Sequence, residues 1–168
     1  MSWQSGAPLS ILSGRGTINR AIRSLENTAA TSLTKPELDE IVQFRMTPDG
    51  SFLITESEIN PRDNTGVSAD GDPAFAGQVF SHPGPGELGV LQRRLFSGPS
   101  AFGLDLAINK SIRFREVHSI LVGAQIANAL NHPAFFSGSH FLDSTQFGRI
   151  TGTLLGARVI EFRMRYSF

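Results

Sequence analysis

The stretch that decides the fold reads Arg158-Val159-Ile160-Glu161-Phe162-Arg163-Met164-Arg165-Tyr166-Ser167-Phe168. Successive side chains of a β-strand point to opposite faces, so the alternation sorts these residues into two rows. The apolar row consists of Ile160, Phe162, Met164, Tyr166 and Phe168. The largely charged row consists of Val159, Glu161, Arg163, Arg165 and Ser167. A strand of this kind, about 9–11 residues long, is typical of a transmembrane barrel, in which the apolar row meets lipid and the charged row meets a wet lumen.

The same strand could also serve in a water-soluble sheet that buries its apolar face. A chain of 168 residues is expected to form one domain. Its 15 basic and 15 acidic side chains balance, so its overall charge does not support nucleic-acid binding. The absence of cysteine excludes a disulfide framework and a thiolate metal site. Residues 26–72 contain ten acidic and three basic side chains. This segment could bind cations, or it could be a solvated loop.

The beginning of the chain does not resemble an export signal. Met1-Ser2-Trp3-Gln4-Ser5-Gly6 has neither a basic region nor an apolar segment, and no run of about 18 apolar residues follows that would make a transmembrane helix. Because a barrel protein must be exported to the outer membrane of a Gram-negative bacterium, we expect the chain to be the tail of a longer protein.

The first hundred residues are predicted to be a strand at 1–10 and a long extracellular loop at 11–100, rich in Gly, Pro, Ser, Asn and Asp. Two local structures are expected inside the loop. Thr34 is a candidate helix cap, with Pro36 in the first turn and acids after it. A hairpin is expected around the turn sequence Thr47-Pro48-Asp49-Gly50.

The last three strands are predicted within residues 101–168, at 101–114, 117–130 and 158–168. Together with 1–10 they would form an antiparallel meander, with 113–117 as a short periplasmic turn and 131–157 on the outer side. The lipid-facing residues are predicted to be Phe102, Leu104, Leu106, Ile108, Ile120 and Val122. The lumen-facing residues are predicted to be Asp105, Asn109, Gln125, Glu161, Arg163 and Arg165. The predicted fold class is therefore all-β, an incomplete barrel of about four transmembrane strands with long loops and one short loop helix.

Three motifs, in order, resemble a known family. They are the run from Gly98 to Asp105 that leads into Asn109-Lys110, the N-x-x-N-H-P-x-F run from Asn128 to Phe135, and Gln146-Phe147-Gly148-Arg149-Ile150-Thr151 before the final strand. Together they resemble the carboxy-terminal end of TonB-dependent outer-membrane receptors of the Oar-like type. Such receptors often carry a carboxypeptidase-regulatory-like domain at the amino end.

The resemblance implies a barrel of about 22 strands closed by an internal plug. This chain would then be a structural, terminal part of the barrel and would not transport by itself. The implied partners are outer-membrane lipid, the rest of the barrel and plug, the barrel-assembly machinery and, only through the plug, TonB. The apolar row of the last strand, Ile160, Phe162, Met164, Tyr166 and Phe168, is expected to act as the barrel-assembly signal.

Two other classes of function remain. A soluble, secreted β-rich binding module would bury the same apolar face inside a sandwich. An enzyme is disfavoured, because the sequence shows no nucleophile, acid–base pair or metal constellation, and its four histidines have no metal-ligand spacing such as H-E-x-x-H. No cofactor and no metal is therefore predicted. The pair Arg93-Arg94 could contact lipopolysaccharide phosphate or could be an exposed loop pair.

Overall fold

A computed structural model describes residues 1–17, 27–114 and 117–168. It contains short and long β-strands, one α-helix and one turn of 3₁₀-helix at Glu56–Glu58. Among the described residues, no helix has the length and apolar character needed to cross a membrane. In chain order the elements are β1 Ser2–Gln4, β2 Pro8–Leu9, α1 Lys35–Ile41, β3 Val42–Thr47, β4 Gly50–Ile54, β5 Phe96–Ser97, β6 Ala101–Gly103, β7 Leu106–Arg113, β8 Ser119–Ala127, β9 Ala134–Phe135, β10 Arg149–Ile150, β11 Thr153–Leu155 and β12 Val159–Ser167.

The chain divides into two compact units. The first, here called the sheet unit, comprises Met1–Ser5, Ser100–Phe135 and Thr153–Phe168. The second, here called the core unit, comprises Gly6–Pro99 and Phe136–Gly152. The predicted fold class is confirmed in that the described strands pair antiparallel and the described residues contain only one α-helix, whereas these strands do not close into a barrel.

The sheet unit is built on a three-stranded sheet with the order β12-β8-β7. Strand β8 pairs antiparallel with β7 from Ser119↔Arg113 to Ile126↔Leu106, and with β12 from Ser119↔Ser167 to Ala127↔Val159. Neither pairing contains a bulge. The predicted antiparallel pairing of the last three strands is thus confirmed, and the connection between β7 and β8 includes residues 115 and 116, which lie outside the described residues.

Strand bounds differ from the predicted ones in three places, one of which is the strand expected at 101–114, now divided into β6 and β7. The strand expected at 1–10 is split, because β1 pairs with β6 whereas β2 pairs with β5. The strand expected at 117–130 already ends at Ala127, since Asn128 has a positive φ of 49° that a continuing strand cannot accommodate. A second short pairing, β11 with β9, completes the sheet unit.

The core unit has little regular structure but a real hydrophobic core. Apart from Ala134, the buried hydrophobic residues of the described chain all belong to it, and its largest fully buried side chains include Phe80, Phe147, Ile11 and Leu53. The rings of Phe80 and Phe147 meet edge to face with centroids 6.0 Å apart. Half of the buried hydrophobic residues of the core unit lie outside the helix and the strands, so residues predicted to be a long extracellular loop also pack into a core.

Both local structures predicted in this region are confirmed. Helix α1 follows Thr34, whose backbone N–H and hydroxyl each donate to the Glu37 carboxylate at 2.7 Å, and Leu38 is its buried residue. This capping arrangement holds the pKa of Glu37 below its ordinary value, because the hydrogen bonds favour the ionised form. Strands β3 and β4 form the expected hairpin, and β10 adds a third strand beside β4.

Candidate functional site

The three-stranded sheet of the sheet unit has one apolar and one polar face. Residues directly opposite one another on paired antiparallel strands share a face, so the unbroken register assigns every side chain of the sheet to one of its two faces. The row on β12 that contains Phe162 and Met164 lies opposite Ala124 and Val122 of β8. The apolar face consists of Leu106, Ile108, Ile112, Ile120, Val122, Ala124, Ile126, Ile160, Phe162, Met164 and Tyr166, interrupted by Lys110 opposite Val122.

No described residue of the sheet unit covers this apolar face. Phe162 is 83 % exposed, Met164 78 % and Ile108 69 %. A contiguous apolar surface of this kind is rare on a protein that stays in water and marks contact with a membrane or another protein. The face therefore has the character that a lipid-facing barrel wall requires.

The polar face is organised by a hydrogen bond that spans the whole sheet. Arg163 on β12 and Asn109 on β7 both lie opposite Gly123 of β8. The Arg163 guanidinium donates to Asn109 Oδ1 from Nη2 at 2.7 Å and from Nε at 3.2 Å. The contact is open because Gly123 has no side chain, and a Cβ placed there would collide with Asn109 Oδ1.

The remaining residues predicted to face the lumen lie on this polar face or beside it. Gln125 is opposite Glu161, and Arg165 is opposite Leu121. Asp105 lies in the break between β6 and β7, where its carboxylate accepts the backbone N–H of Asn128 at 2.9 Å. Contact with a lumen itself stays a prediction.

Four of the six residues predicted to face lipid share the apolar face, namely Leu106, Ile108, Ile120 and Val122. The other two do not belong to this sheet. Phe102 pairs with Trp3 in the separate β1–β6 sheet, and Leu104 lies outside any strand, where its carbonyl accepts the Ala129 N–H at 2.7 Å. The sequence alternation does not show the interruption after Gly103, because it continues through residues 104 and 105.

One end of the apolar face carries a cluster of aromatic rings. The rings of Phe114, His118 and Tyr166 stack with interplanar angles of 6–17°, and Phe168 lies 5.8 Å from Tyr166 between centroids. The Tyr166 hydroxyl lies 2.7 Å from His118 Nδ1. Rings with an apolar body and a polar tip suit the boundary between hydrocarbon and water, and barrels place aromatic girdles there.

At the opposite end of β8, Asn128 explains the N-x-x-N-H-P motif. Its side chain is buried, donates to the carbonyls of Gly156 at 2.8 Å and His132 at 3.2 Å, and accepts the His132 N–H at 3.1 Å. Asn131 accepts the Arg158 N–H at 3.0 Å. The motif therefore fixes the turn and the approach to β12, and His132 belongs to this turn.

In the core unit, charged residues from distant segments form a cluster. Arg15 pairs with Asp70 and, at 3.3 Å, with Asp143. His82 Nδ1 lies 2.8 Å from Ser13 Oγ, and its Nε2 lies 3.1 Å from Asp143 Oδ1 without hydrogen-bond alignment. Ser, His and Asp in this order suggest a nucleophile, but the Ser13 side chain is completely buried and no substrate can reach it.

The cluster shifts three pKa values. The hydrogen bond to Asp70 raises the pKa of Arg15, and the same bond lowers the pKa of Asp70. Burial lowers the pKa of His82, since the loss of water penalises the imidazolium more than the nearby Asp143 carboxylate favours it. No sequence pattern indicates this cluster, because 69 residues separate Ser13 from His82 and 128 separate Arg15 from Asp143.

A cavity of about 250 Å³ beside the β3–β4 hairpin has lining groups that satisfy one another. Arg149 donates to the Asp49 carbonyl at 3.1 Å and lies over the Phe52 ring, 5.7 Å from its centroid. Glu56 accepts the Thr47 hydroxyl at 2.8 Å. These contacts hold the hairpin in place. Among the described residues, no three His, Asp or Glu side chains form a group that could hold a metal ion.

A sheet with one uncovered apolar face and one polar face, edged by aromatic rings, is what membrane-spanning β-sheet proteins present. The family model of the outer membrane beta barrel domain matches residues 1–161, and the chain belongs to this family. Membership in this family implies a location in the bacterial outer membrane. Domains of this family are typically non-enzymatic. No curated protein and no solved structure matches the chain.

Proposed function

We propose that the chain forms the terminal part of the barrel of a TonB-dependent outer-membrane receptor of the Oar-like type. The observation that carries the proposal is the two-faced sheet β12-β8-β7 in a chain of the outer-membrane barrel family. The order of the three motifs from Gly98 to Thr151 supports the narrower, Oar-like assignment.

In this proposal the polypeptide has a structural role and no enzymatic one. Its apolar face contacts outer-membrane lipid, its polar face contacts the lumen, and its free strand edges pair with the rest of the barrel. The plug would lie inside that barrel and carry the contact with TonB. The apolar row of the last strand, which ends on Phe168, would be recognised by the assembly machinery.

Site-directed labelling tests the lipid contact directly, because the chain has no cysteine that would add background. A nitroxide is attached to Phe162→Cys or, one residue away on the other face, to Arg163→Cys in the reconstituted protein. We expect the label at 162 to be relaxed by oxygen dissolved in lipid, and the label at 163 by a water-soluble nickel reagent. If the label at 162 is inaccessible to both reagents, the apolar face is buried in protein, and a soluble sandwich module becomes the better assignment.

The isolated chain is expected to transport nothing. A filled barrel needs about eight strands. In hydrocarbon, each unpaired edge group of the three-stranded sheet costs several kcal/mol. Residues 1–168 expressed alone should be insoluble or oligomeric without detergent and give no defined conductance in planar bilayers. A monodisperse soluble monomer with a cooperative melt would overturn this expectation.

The TonB assignment needs a separate test. The coding sequence upstream of Met1 should contain, in frame, a plug with a TonB-contacting segment and further strands of alternating pattern. Ligand uptake by the intact receptor should then stop when TonB is deleted. Uptake that continues unchanged without TonB would remove the receptor assignment and leave the barrel assignment standing.

A further inference from the structure

A second cavity in the core unit has unusual lining chemistry. Its volume is about 350 Å³, within the range of small-molecule sites. Arg93, Arg94, His140, Ser10 and Ser137 supply its polar groups, and none of its described lining residues is acidic. The cavity therefore combines two permanent positive charges with hydroxyl and imidazole groups.

The backbone at Arg94 is held in a strained conformation. Its φ is 56°, in the left-handed region that side chains other than Gly, Asn and Asp rarely adopt. The Arg94 N–H donates to Ser10 Oγ at 2.7 Å, which ties this segment to the strand end at Pro8–Leu9. Because Ser10 Oγ accepts that bond, its own proton remains available to donate. Strained residues of this kind concentrate at binding sites, where the surrounding structure holds them in place.

His140 provides an independent sign of a missing partner. Its Nδ1 atom is buried and has no hydrogen-bond partner among the described residues. The residue is otherwise well fixed, since its ring stacks on Phe141 with centroids 4.9 Å apart and its carbonyl accepts the Leu12 N–H at 2.9 Å. A buried polar atom left unpaired on a fixed residue calls for a ligand, an ion or a water molecule.

We propose that this cavity binds a phosphate group. Guanidinium groups bind phosphate with two parallel hydrogen bonds, and a phosphate has enough acceptor oxygens for both arginines, the Ser10 hydroxyl and the His140 ring. The phosphate could be free in solution or belong to a phosphorylated lipid of the outer leaflet. The proposal rests on the core unit alone and does not depend on the receptor assignment.

Titration of the full chain in detergent micelles with inorganic phosphate, followed by calorimetry, tests the site. Arg94→Gly removes the charge and fits the positive φ, so the fold is retained. Arg93→Gln removes the neighbouring charge. We expect each change to weaken phosphate binding at least 10-fold, and Arg94→Lys to restore part of the affinity.

Arg62→Gln is the matched control, because Arg62 is an exposed arginine of the same unit that lies outside the cavity lining and pairs with Asp72 at 3.7 Å. It should change phosphate affinity less than 2-fold. The absence of saturable phosphate binding, or an equal loss in Arg62→Gln and Arg94→Gly at unchanged circular dichroism, would overturn the proposal.

Vesicles that contain lipid A or dephosphorylated lipid A distinguish the two sources of phosphate. If the lipid is the ligand, lipid A should displace inorganic phosphate from the wild-type chain, the dephosphorylated lipid should not, and Arg94→Gly should abolish the difference. If inorganic phosphate binds and neither lipid displaces it, the site takes a soluble phosphate. Both results support a phosphate site.

Discussion

Arg163 and Asn109 are bonded to each other although their strands are not neighbours. The guanidinium of Arg163 reaches across β8 to Asn109 Oδ1, 2.7 Å away, directly above Gly123. The bond links β7 to β12 on the polar face, so the three strands are connected by a side-chain contact as well as by their backbone ladders. Gly123 thus has a specific role in the sheet, since it leaves room for this contact.

Gly123→Val is therefore expected to destabilise the sheet. The added side chain would displace Asn109 and Arg163 from their contact, and overpacking of this kind costs about 1–3 kcal/mol. Ala127→Val, at the exposed end of the same strand opposite Val159, is the matched control and should change stability by less than about 0.5 kcal/mol. Denaturant titration of the chain in detergent micelles measures both. Equal midpoints for the two variants would show that the contact contributes nothing.

The two faces of β12 can be compared with a single introduced charge. Phe162→Arg places a charge on the apolar face, where a barrel near the bilayer midplane would lose about 2–4 kcal/mol. Glu161→Arg places the same side chain one residue away, on the polar face opposite Gln125, and should cost much less. The folded fraction of the two variants of the intact receptor in vesicles gives the comparison. A larger loss for Glu161→Arg would reverse the assignment of the faces.

The face assignment could be predicted from the sequence because it depends only on local alternation. Strands β8 and β12 keep their register without a bulge, so the alternation read along Ile160, Phe162 and Met164 survives unchanged in the structure. Helix α1 was predictable for a similar reason, since Thr34, Pro36 and Glu37 act within one turn. Structural features that depend only on contacts between residues close in sequence can be predicted from local sequence patterns.

The core unit was not predictable in the same way. Its buried side chains, such as Phe80, Leu142 and Phe147, come from segments without periodicity, and their contacts join parts of the chain far apart in sequence. The Arg15 cluster and the cavity beside Arg94 depend on these long-range contacts. Composition correctly indicated little regular structure, but it could not show that irregular segments pack into a core.

Asn128 is expected to be the most sensitive residue of the N-x-x-N-H-P motif. Asn128→Ala removes the donor to Gly156 and His132 and places alanine at a φ of 49°, so we expect a loss of about 2–4 kcal/mol. Asn128→Gly loses the same hydrogen bonds but fits the φ, and should recover about 1 kcal/mol of that loss. Unfolding in detergent micelles measures both variants. Identical stability of the two would mean that the backbone conformation at this position is unstrained.

The core unit is expected to lose stability as the pH falls below about 6.5, the ordinary pKa of histidine. Burial lowers the pKa of His82 in the folded state, so the unfolded chain binds a proton first as the pH falls. The stabilisation by neutral His82 is therefore complete above pH 6.5 and is lost between 6.5 and the lower folded pKa. Asp70, whose pKa is also lowered, adds a loss only at more acidic pH, below its ordinary value.

His82→Gln tests this origin of the acid sensitivity. Glutamine keeps a polar side chain near Ser13 but cannot take up the proton, so the decline between pH 6.5 and 5 should flatten. His132→Gln is the control, because only backbone atoms of His132 take part in the turn with Asn128, and its profile should match that of the wild type. Denaturation midpoints across this pH range are the measurement. A decline of unchanged steepness in His82→Gln would assign the sensitivity to other groups.

The apolar row of the last strand is expected to govern assembly of the intact receptor. Phe168 is 90 % exposed and its ring lies 5.8 Å from the Tyr166 ring between centroids, so its removal should change the stability of the sheet little. If the assembly machinery recognises the row, removal of Phe168 should nevertheless lower the amount of receptor in isolated outer membranes several-fold. Ser167→Ala, on the opposite face beside Ser119, is the matched control and should leave that amount unchanged. Equal amounts of the two variants, together with unchanged stability, would contradict a role of this row in assembly.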